Sequence, residues 1–463
     1  MRACLQQLLR QHVIAVFIVF LLLTALVASA PIIAFFDLSV IDAAVAASMA
    51  VAVGILARAI TPEEAGHLSR LLRPFAVGLA LPAIWMMVQI VPTPPGSRFS
   101  HPIWASTQAA IAVPLDGSIS VDPGLTLLAL ARYAALAAVF LAATAASIDR
   151  RRAEWMLRAL TCVTTVMAIM VILQATTSLA FVEKSGVRAA IFLQGGASLG
   201  VIVAAAGMIR AFERRESRQI KGEAPFGQFA RDFGANGIAL LICGLALVLS
   251  GAGQEIFATS CGLLMMGLVV ITRRFALGLV SSTALGTLTI LTLLAVAVRP
   301  SEQGDLTLRF ANAPASLVAD VDRLIGDTGW GGSGAGSYAA LMPIYRNIDE
   351  PTDEPAPTSA AQISIEMGPV ALWGIVVMML SFAGYLLRGA VRRGRDSFYS
   401  AAAMSAAVVL TLDAFCDASA LSTAIGLIGA TILGLGLAQS VSRGARQQST
   451  KPSWQTFPAM GPS

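Results

Sequence analysis

Charged residues are scarce in this chain of 463 residues. Asp, Glu, Lys and Arg make up 13% of the sequence, whereas hydrophobic residues make up 56%. Soluble domains carry about 25% charged residues. The balance therefore argues against a soluble globular protein and favours a membrane protein.

Cysteine and histidine are also rare, with five and three copies respectively. Cys4 precedes the first apolar run, and the other cysteines fall inside apolar runs or at their edges, where they are small packing residues. Their spacing predicts neither a disulfide framework nor a metal site. We therefore expect no metal ion and no cofactor.

Positive charge is in slight excess, with a formal net charge of +5 and a pI near 9.2. The basic residues flank apolar runs, so membrane topology explains them better than nucleic-acid binding does. We expect membrane lipid, and no nucleic acid, among the partners.

Long apolar runs separated by polar breaks dominate the sequence. Each run has the length and composition of a membrane-spanning helix. The pattern predicts an all-α, polytopic membrane domain over residues 1–463. Its twelve or so transmembrane helices are expected near residues 11–31, 38–58, 74–93, 124–147, 154–175, 189–210, 236–251, 254–272, 275–297, 364–387, 398–415 and 418–440.

Arginine is concentrated in every second break, and loops rich in Lys and Arg stay cytoplasmic. Twelve spans place these breaks on one side, so we expect both termini in the cytoplasm. The first run, which ends in Ala-Ser-Ala, also resembles a signal peptide, but its length favours an uncleaved helix.

The same topology assigns the polar segments. Residues 94–123 form a first periplasmic loop, and residues 298–363 form a large periplasmic loop between spans 9 and 10. Residues 211–235 form a cytoplasmic loop, and residues 441–463 form a polar cytoplasmic tail that we expect to be disordered.

The large loop holds the densest group of polar and glycine residues. Apolar residues at helical spacing between 317 and 325 predict an amphipathic helix on the outer membrane surface. A run from Gly331 to Gly336 follows, in which Gly332, Gly334 and Gly336 allow close approach of a ligand and turn N–H groups toward an anion. The alternative is a flexible Gly/Ser connector.

The order of the motifs resembles that of the bacterial O-antigen ligase and O-antigen polymerase family. The family shows an Arg, a short helix, a segment like Asp-x-Pro-x-x-Gly-x-Gly-x-Gly-x-Phe and a Tyr-Arg. Here Arg309, residues 327–338 and Tyr345-Arg346 stand in that order. Residues 365–368, Ile-Glu-Met-Gly, look like the family's Ala-Glu-Leu-Gly. Residues 119–126, 188–192 and 412–420 resemble further family segments.

Three positions depart from the family pattern. The family's His upstream of the Glu falls on Pro357, its Arg at the turn before Glu255 falls on Gly253, and its late-span His falls on Asp413. The chain therefore either uses altered chemistry or has kept only a binding role.

The resemblance implies a metal-independent glycosyltransferase at the outer face of the inner membrane. An acceptor hydroxyl attacks the anomeric carbon of a glycan carried on undecaprenyl pyrophosphate. Arg188 and Arg309 would stabilise the leaving pyrophosphate. Glu366 would accept the hydroxyl proton, with Asp320 and Asp322 behind it. The substrate-binding candidates are Gly332, Gly334, Gly336, Tyr338, Tyr345 and Arg346.

Simpler explanations stand beside these roles. Arg188 and Arg309 also fit interfacial arginines, and Glu366 fits an acid in the first turn of the next helix. Arg132 and Asp413 lie within spans, where ionisable groups are functional or paired, and Asp417 adjoins them. We expect a structural ion pair between Arg132 and these acids.

We therefore expect a polymerase-like or ligase-like protein of exopolysaccharide or O-antigen assembly, working with other assembly proteins. Two alternatives stay open. A non-catalytic accessory that binds glycan is favoured by the missing His and Arg. A transporter of lipid-linked glycan is disfavoured by the lack of an internal repeat and by the long outer loop.

Overall fold

The computed structural model describes residues 2–36, 39–94, 97, 99–176, 186–219, 226–274, 305–346, 355–392 and 397–440. Within them the chain is built from α-helices, and one isolated β-bridge joins Thr93 to Gly117. The helices are α1 (Arg2–Ala28), α2 (Ala30–Phe36), α3 (Ser39–Ala59), α4 (Pro62–Leu72), α5 (Ala76–Ile90), α6 (Pro102–Ile111), α7 (Pro123–Ala146), α8 (Arg150–Thr176), α9 (Gly186–Gln219), α10 (Phe226–Leu249), α11 (Gly253–Arg274), α12 (Ala315–Asp327), α13 (Tyr338–Tyr345), α14 (Ser359–Met367), α15 (Pro369–Arg392), α16 (Ser397–Cys416) and α17 (Thr423–Ala438). The predicted all-α class is confirmed.

Many of these helices have the length and composition of membrane spans. Eight described helices are long and apolar enough to cross a membrane, and up to ten if each of two bent pairs is one span. The pairs are α1–α2, bent by 41°, and α4–α5, bent by 73°. These features are those of a polytopic membrane protein.

The count of twelve spans stays a prediction. The predicted span at 275–297 lies outside the described residues. The predicted last span corresponds to α17, which has 16 residues. A helix of that length covers about 24 Å, less than the roughly 30 Å of a bilayer's hydrocarbon core. The predicted spans 236–251 and 254–272 are two separate helices, α10 and α11, joined at Gly251 with φ +70°.

Two helices form the buried centre of the bundle. Helix α9 packs against α8, α10 and α16, and α16 packs in turn against α11, α15 and α17. Helices α3, α10 and α15 instead expose large apolar side chains such as Val51, Leu241 and Val377. Such surfaces suit contact with lipid.

Arginines and glutamates cluster at one end of the bundle. Glu154 forms ion pairs with Arg210, at 3.5 Å, and with Arg214. Arg273 pairs with Glu213 at 2.7 Å. We call this the arginine end. The predicted loop 211–235 is largely helical here, because α9 continues to Gln219 and α10 begins at Phe226.

The opposite end carries the shorter helices. Residues 94–123, predicted as a loop, contain α6. The amphipathic helix predicted at 317–325 is confirmed as α12. Its apolar residues Leu317, Val321 and Leu324 pack with Leu341 and Ile365 of the same end. That packing makes the described part of the predicted loop, residues 305–346 and 355–363, a folded cap on the bundle.

Candidate functional site

A cavity of about 400 Å³ lies at the end of the bundle opposite the arginine end. We call it the arginine cavity, because Arg132 and Arg188 both line it. Glu366, Tyr338 and Gly336 line it as well. Arg132 belongs to α7, Arg188 to the first turn of α9 and Glu366 to α14. Residues far apart in sequence are therefore brought to one chamber, and all five were singled out from the sequence.

Glu366 occupies the last turn of α14. The predicted span 364–387 was wrong at its start, because α14 ends at Met367 and the long helix α15 begins at Pro369. Gly368 between them has φ +88°, a conformation that L side chains rarely adopt. The explanation of Glu366 as a first-turn acid is therefore wrong. The C-terminal end of a helix disfavours a negative charge.

Hydrogen-bond donors around the Glu366 carboxylate offset this unfavourable effect of the helix end. The Gln362 side chain donates to Oε1 at 2.9 Å, and the backbone N–H of Tyr338 approaches the same oxygen at 3.4 Å. Burial raises the pKa of Glu366, and it is opposed by the Gly336 backbone, the Gln362 amide and the positive charge of Arg132. A buried carboxylate with a raised pKa is a stronger proton acceptor than an exposed one.

The glycine run folds tightly against the end of α14. Gly332, Gly334 and Gly336 all have positive φ, of 75°, 103° and 80°. The Ser333 N–H donates to the Ile365 carbonyl at 2.8 Å, and the Gly334 N–H donates to the Glu366 carbonyl at 2.9 Å. The run is thus not a flexible connector.

The same hydrogen bonds limit what the run can offer a ligand. The N–H groups from Gly332 to Ala335 all donate within the protein. Only Gly336 of the glycines lines the arginine cavity, and its backbone serves Glu366. We therefore assign the run the positioning of Glu366, with little direct anion binding.

Gln89 is a site residue that the sequence analysis missed. Its side chain is fully buried, and it donates to the carbonyls of Gly331 at 3.0 Å and Glu366 at 2.9 Å. Its oxygen accepts from the Ala335 N–H at 3.2 Å. Trp85, one turn earlier on α5, donates to the Met367 carbonyl at 2.9 Å. A single amide within an apolar run was the available signal, since buried polar groups need partners.

Residues 119–126 connect the glycine run to α7. The Val121 N–H donates to the Ser333 carbonyl at 2.8 Å. Asp122 caps α7 by accepting from the N–H groups of Gly124 at 2.8 Å and Leu125 at 3.1 Å. A fixed start of α7 fixes Arg132 roughly two and a half turns further along.

Several predicted site residues lie elsewhere. Gly332, Gly334, Arg309, Tyr345 and Arg346 are not among the residues that line the arginine cavity. The Tyr345 hydroxyl donates to Asp327 at 3.0 Å.

The acids considered behind Glu366 are also away from the arginine cavity. Asp320 is buried on α12 and pairs with Arg323, while Asp322 is exposed. Asp320 therefore has a structural partner of its own.

The predicted ion pair between Arg132 and the acids of α16 is wrong for the described residues. None of the ion pairs found there joins Arg132 to Asp413 or Asp417. Asp413 instead accepts from the Ser198 hydroxyl at 3.2 Å, and Asp417 accepts from the Ser419 N–H at 2.7 Å. Arg132 points its charge toward Glu366 and the arginine cavity.

Among the described residues, no group of three or more His, Cys, Asp or Glu is arranged to hold a metal ion. The chain matches no model of a known protein family and no curated protein sequence. Its resemblance to the O-antigen ligase and polymerase family therefore depends on the quoted motifs alone.

Proposed function

We propose that this chain is a bacterial inner-membrane glycosyltransferase of the polymerase or ligase type. It transfers a glycan from undecaprenyl pyrophosphate to an acceptor hydroxyl during exopolysaccharide or O-antigen assembly. The observation that carries the proposal is the arginine cavity, in which Arg132 and Arg188 face the same chamber as Glu366.

The two arginines suit a leaving pyrophosphate. Guanidinium groups bind phosphate oxygens in a bidentate manner and keep their charge in a partly buried site. Negative charge grows on the pyrophosphate as its bond to the anomeric carbon breaks. Fixed positive groups stabilise that transition state without rearranging. Arg132 takes the place that the sequence analysis gave to Arg309.

Glu366 suits the proton acceptor. The acceptor oxygen forms a bond to the anomeric carbon, the pyrophosphate leaves with the electron pair of the broken bond, and Glu366 takes the hydroxyl proton. Its donors hold the carboxylate in one orientation, and burial strengthens its proton affinity. Two cationic groups and a candidate proton acceptor thus line one cavity.

The charge distribution supports a membrane side for the cavity. The arginine end contains Arg150, Arg210, Arg214 and Arg273, and the arginine cavity is at the other end. If basic ends face the cytoplasm, the cavity opens toward the periplasm, where lipid-linked glycans are assembled. Both termini are then cytoplasmic, as the sequence indicates.

The deciding experiment is glycan transfer by purified protein in liposomes that contain the lipid-linked donor. Arg132→Ala and Arg188→Ala are each expected to lower the transfer rate by about 10²-fold or more, with poor rescue by Lys. Glu366→Gln is expected to stop transfer while donor binding persists. Arg58→Ala, which removes an exposed arginine far from the cavity, serves as the control.

Two outcomes would replace the proposal. Wild-type protein that binds the donor but transfers nothing would favour the non-catalytic accessory. Movement of labelled donor between leaflets without transfer would favour the transporter. Arg309→Ala belongs in the same series, because a loss as large as that of Arg132→Ala would return Arg309 to the site.

A further inference from the structure

A second cavity adjoins the arginine cavity. It has a volume of about 200 Å³, and Pro355 and Ala356 form a wall common to both chambers. We call it the acidic cavity, because Glu255 and Asp417 line it. The other polar side chains in its lining are the amides Gln194, Gln254 and Asn312. Five hydrogen-bonding side chains from four parts of the chain thus meet in one small chamber.

One oxygen of each carboxyl group in this cavity lacks a donor. Glu255 is 3% exposed, and its Oε2 has no hydrogen-bond donor among the described residues. Asp417 Oδ2 likewise has no hydrogen-bond donor among the described residues. The two carboxyls face each other closely enough to interact. Two carboxyls that face each other can share one proton, but Glu255 Oε2 and Asp417 Oδ2 still have no donor and keep acceptor capacity. Buried acceptors without donors are costly, and the chamber therefore calls for a ligand that donates.

The surroundings restrict the chemistry of that ligand. A lipid chain would leave the carboxyls unsolvated, and an anion would be repelled. The described residues offer no three-ligand group for a metal ion. Hydroxyl groups fit, because each one donates to a carboxylate and accepts from an amide such as Asn312. At roughly 30 Å³ per water, the chamber holds the equivalent of about seven waters, which is comparable to one sugar ring.

We propose that the acidic cavity is a subsite for one sugar unit of the acceptor glycan, held through its hydroxyls by Glu255 and Asp417. This inference rests on the proposed function. The shared wall places such a unit directly beside the chamber that holds Arg132, Arg188 and Glu366. The acceptor hydroxyl of the neighbouring unit then enters the arginine cavity, while the acids hold the glycan in register.

The departures from the family pattern fall in the same place. Pro357 lines the acidic cavity, and Glu255 lies in the turn where the family shows an Arg. The resemblance would place a His at Pro357 and an Arg two residues before Glu255, whereas the described residues that line this chamber include acids and no basic side chain. A lining of acids and amides favours groups that donate hydrogen bonds.

The test compares two ligands on full-length protein in nanodiscs. The first is undecaprenyl pyrophosphate without sugar, and the second is the oligosaccharide mixture released by partial acid hydrolysis of the source bacterium's surface polysaccharide. Glu255→Gln is expected to weaken oligosaccharide binding by about tenfold or more, because it replaces an acceptor oxygen with an NH₂ donor while keeping the shape. Binding of the sugar-free lipid is expected to be unchanged. Asp417→Asn provides a second variant if Glu255→Gln unfolds at a lower temperature than the wild type.

The matched control is Asp116→Asn, which removes an exposed carboxyl at the same end of the bundle. It is expected to bind both ligands as the wild type does. Oligosaccharide binding that is equal in wild type, Glu255→Gln and Asp417→Asn would overturn the subsite, as would wild-type protein that binds the lipid but no oligosaccharide. Failure to bind the lipid, with no transfer, would instead contradict the proposed function.

Discussion

Gly332→Ala is the substitution for which the structure sets the sharpest expectation. The residue has φ +75°, and a Cβ built there would lie 2.4 Å from the Glu366 carbonyl oxygen and 2.6 Å from its carbonyl carbon. Left-handed backbone costs an L residue roughly 1–2 kcal/mol. Overlap with backbone that cannot move aside adds roughly 1–3 kcal/mol. The sum is about 2–5 kcal/mol of unfolding free energy.

The same clash reaches the chemistry, because the displaced carbonyl belongs to Glu366. A shift of about 1 Å in a catalytic group lowers a rate by roughly 10²-fold. The assays are thermal unfolding in detergent and glycan transfer in liposomes. Gly329→Ala is the matched control, since no atom lies within 4 Å of its Cβ position and its φ is not positive. If Gly332→Ala matched Gly329→Ala in both stability and rate, the positioning role of the run would be refuted.

Three further predictions follow from the site. Gln362→Leu removes a hydrogen-bond donor that favours ionised Glu366, so the pKa of Glu366 rises further. The acidic limb of the pH–rate profile should then move to higher pH. An unmoved limb would exclude Glu366 as the base. Gln89→Leu leaves the Ala335 N–H and the Gly331 carbonyl without this partner, and it removes one of the two donors to the Glu366 carbonyl. It should lower stability by roughly 1–3 kcal/mol in chemical unfolding, whereas unchanged stability would contradict its bonding role. In intact cells a membrane-impermeant maleimide should label Asp116→Cys but not Arg151→Cys, and the reverse pattern would invert the proposed topology.

The membrane helices could be predicted because their signal is local. A run of about twenty apolar residues has few alternatives to a membrane-spanning helix. The boundaries depended on finer signals. The break at Gly368-Pro369 is visible in the sequence, because proline disfavours helical backbone in the residue before it and suits the first turn of a new helix. Recognising that pair would have placed Glu366 at the end of α14.

The composition of the site could be predicted only in part. Arg188, Glu366, Tyr338 and Gly336 were found because each lies in a motif or on the expected side of the membrane. Arg132 was noticed as an intramembrane charge, but Glu366, which lines the same cavity, is 234 residues away in the sequence. Contacts at that separation depend on how helices pack, which a single sequence does not display.

Gln89 is a second example of contacts that a single sequence does not display. Its hydrogen bonds join α5 to the glycine run and to the end of α14, and no local pattern announces those partners. What the sequence does display is one amide inside an apolar helix. In a membrane such a group is retained only where it is satisfied. Polar residues within predicted spans therefore mark the positions where distant segments meet.

The wall between the two cavities keeps the arginines of one cavity apart from the two acids of the other. Arginines and carboxyls at this end of the bundle would attract each other strongly across a few ångströms of low-dielectric interior. Pro355 and Ala356 separate the arginines from Glu255 and Asp417, and neither side chain adds a hydrogen-bonding group. Thr358 anchors the segment by donating to the Thr307 carbonyl at 2.8 Å and accepting from the Ala361 N–H at 3.0 Å. An apolar, anchored wall keeps Arg132 and Arg188 apart from Glu255 and Asp417 and leaves Glu366 as the carboxyl on their side. Under the proposed function, the arginines would then take the pyrophosphate in one chamber, and the two acids would take hydroxyls of the acceptor in the other.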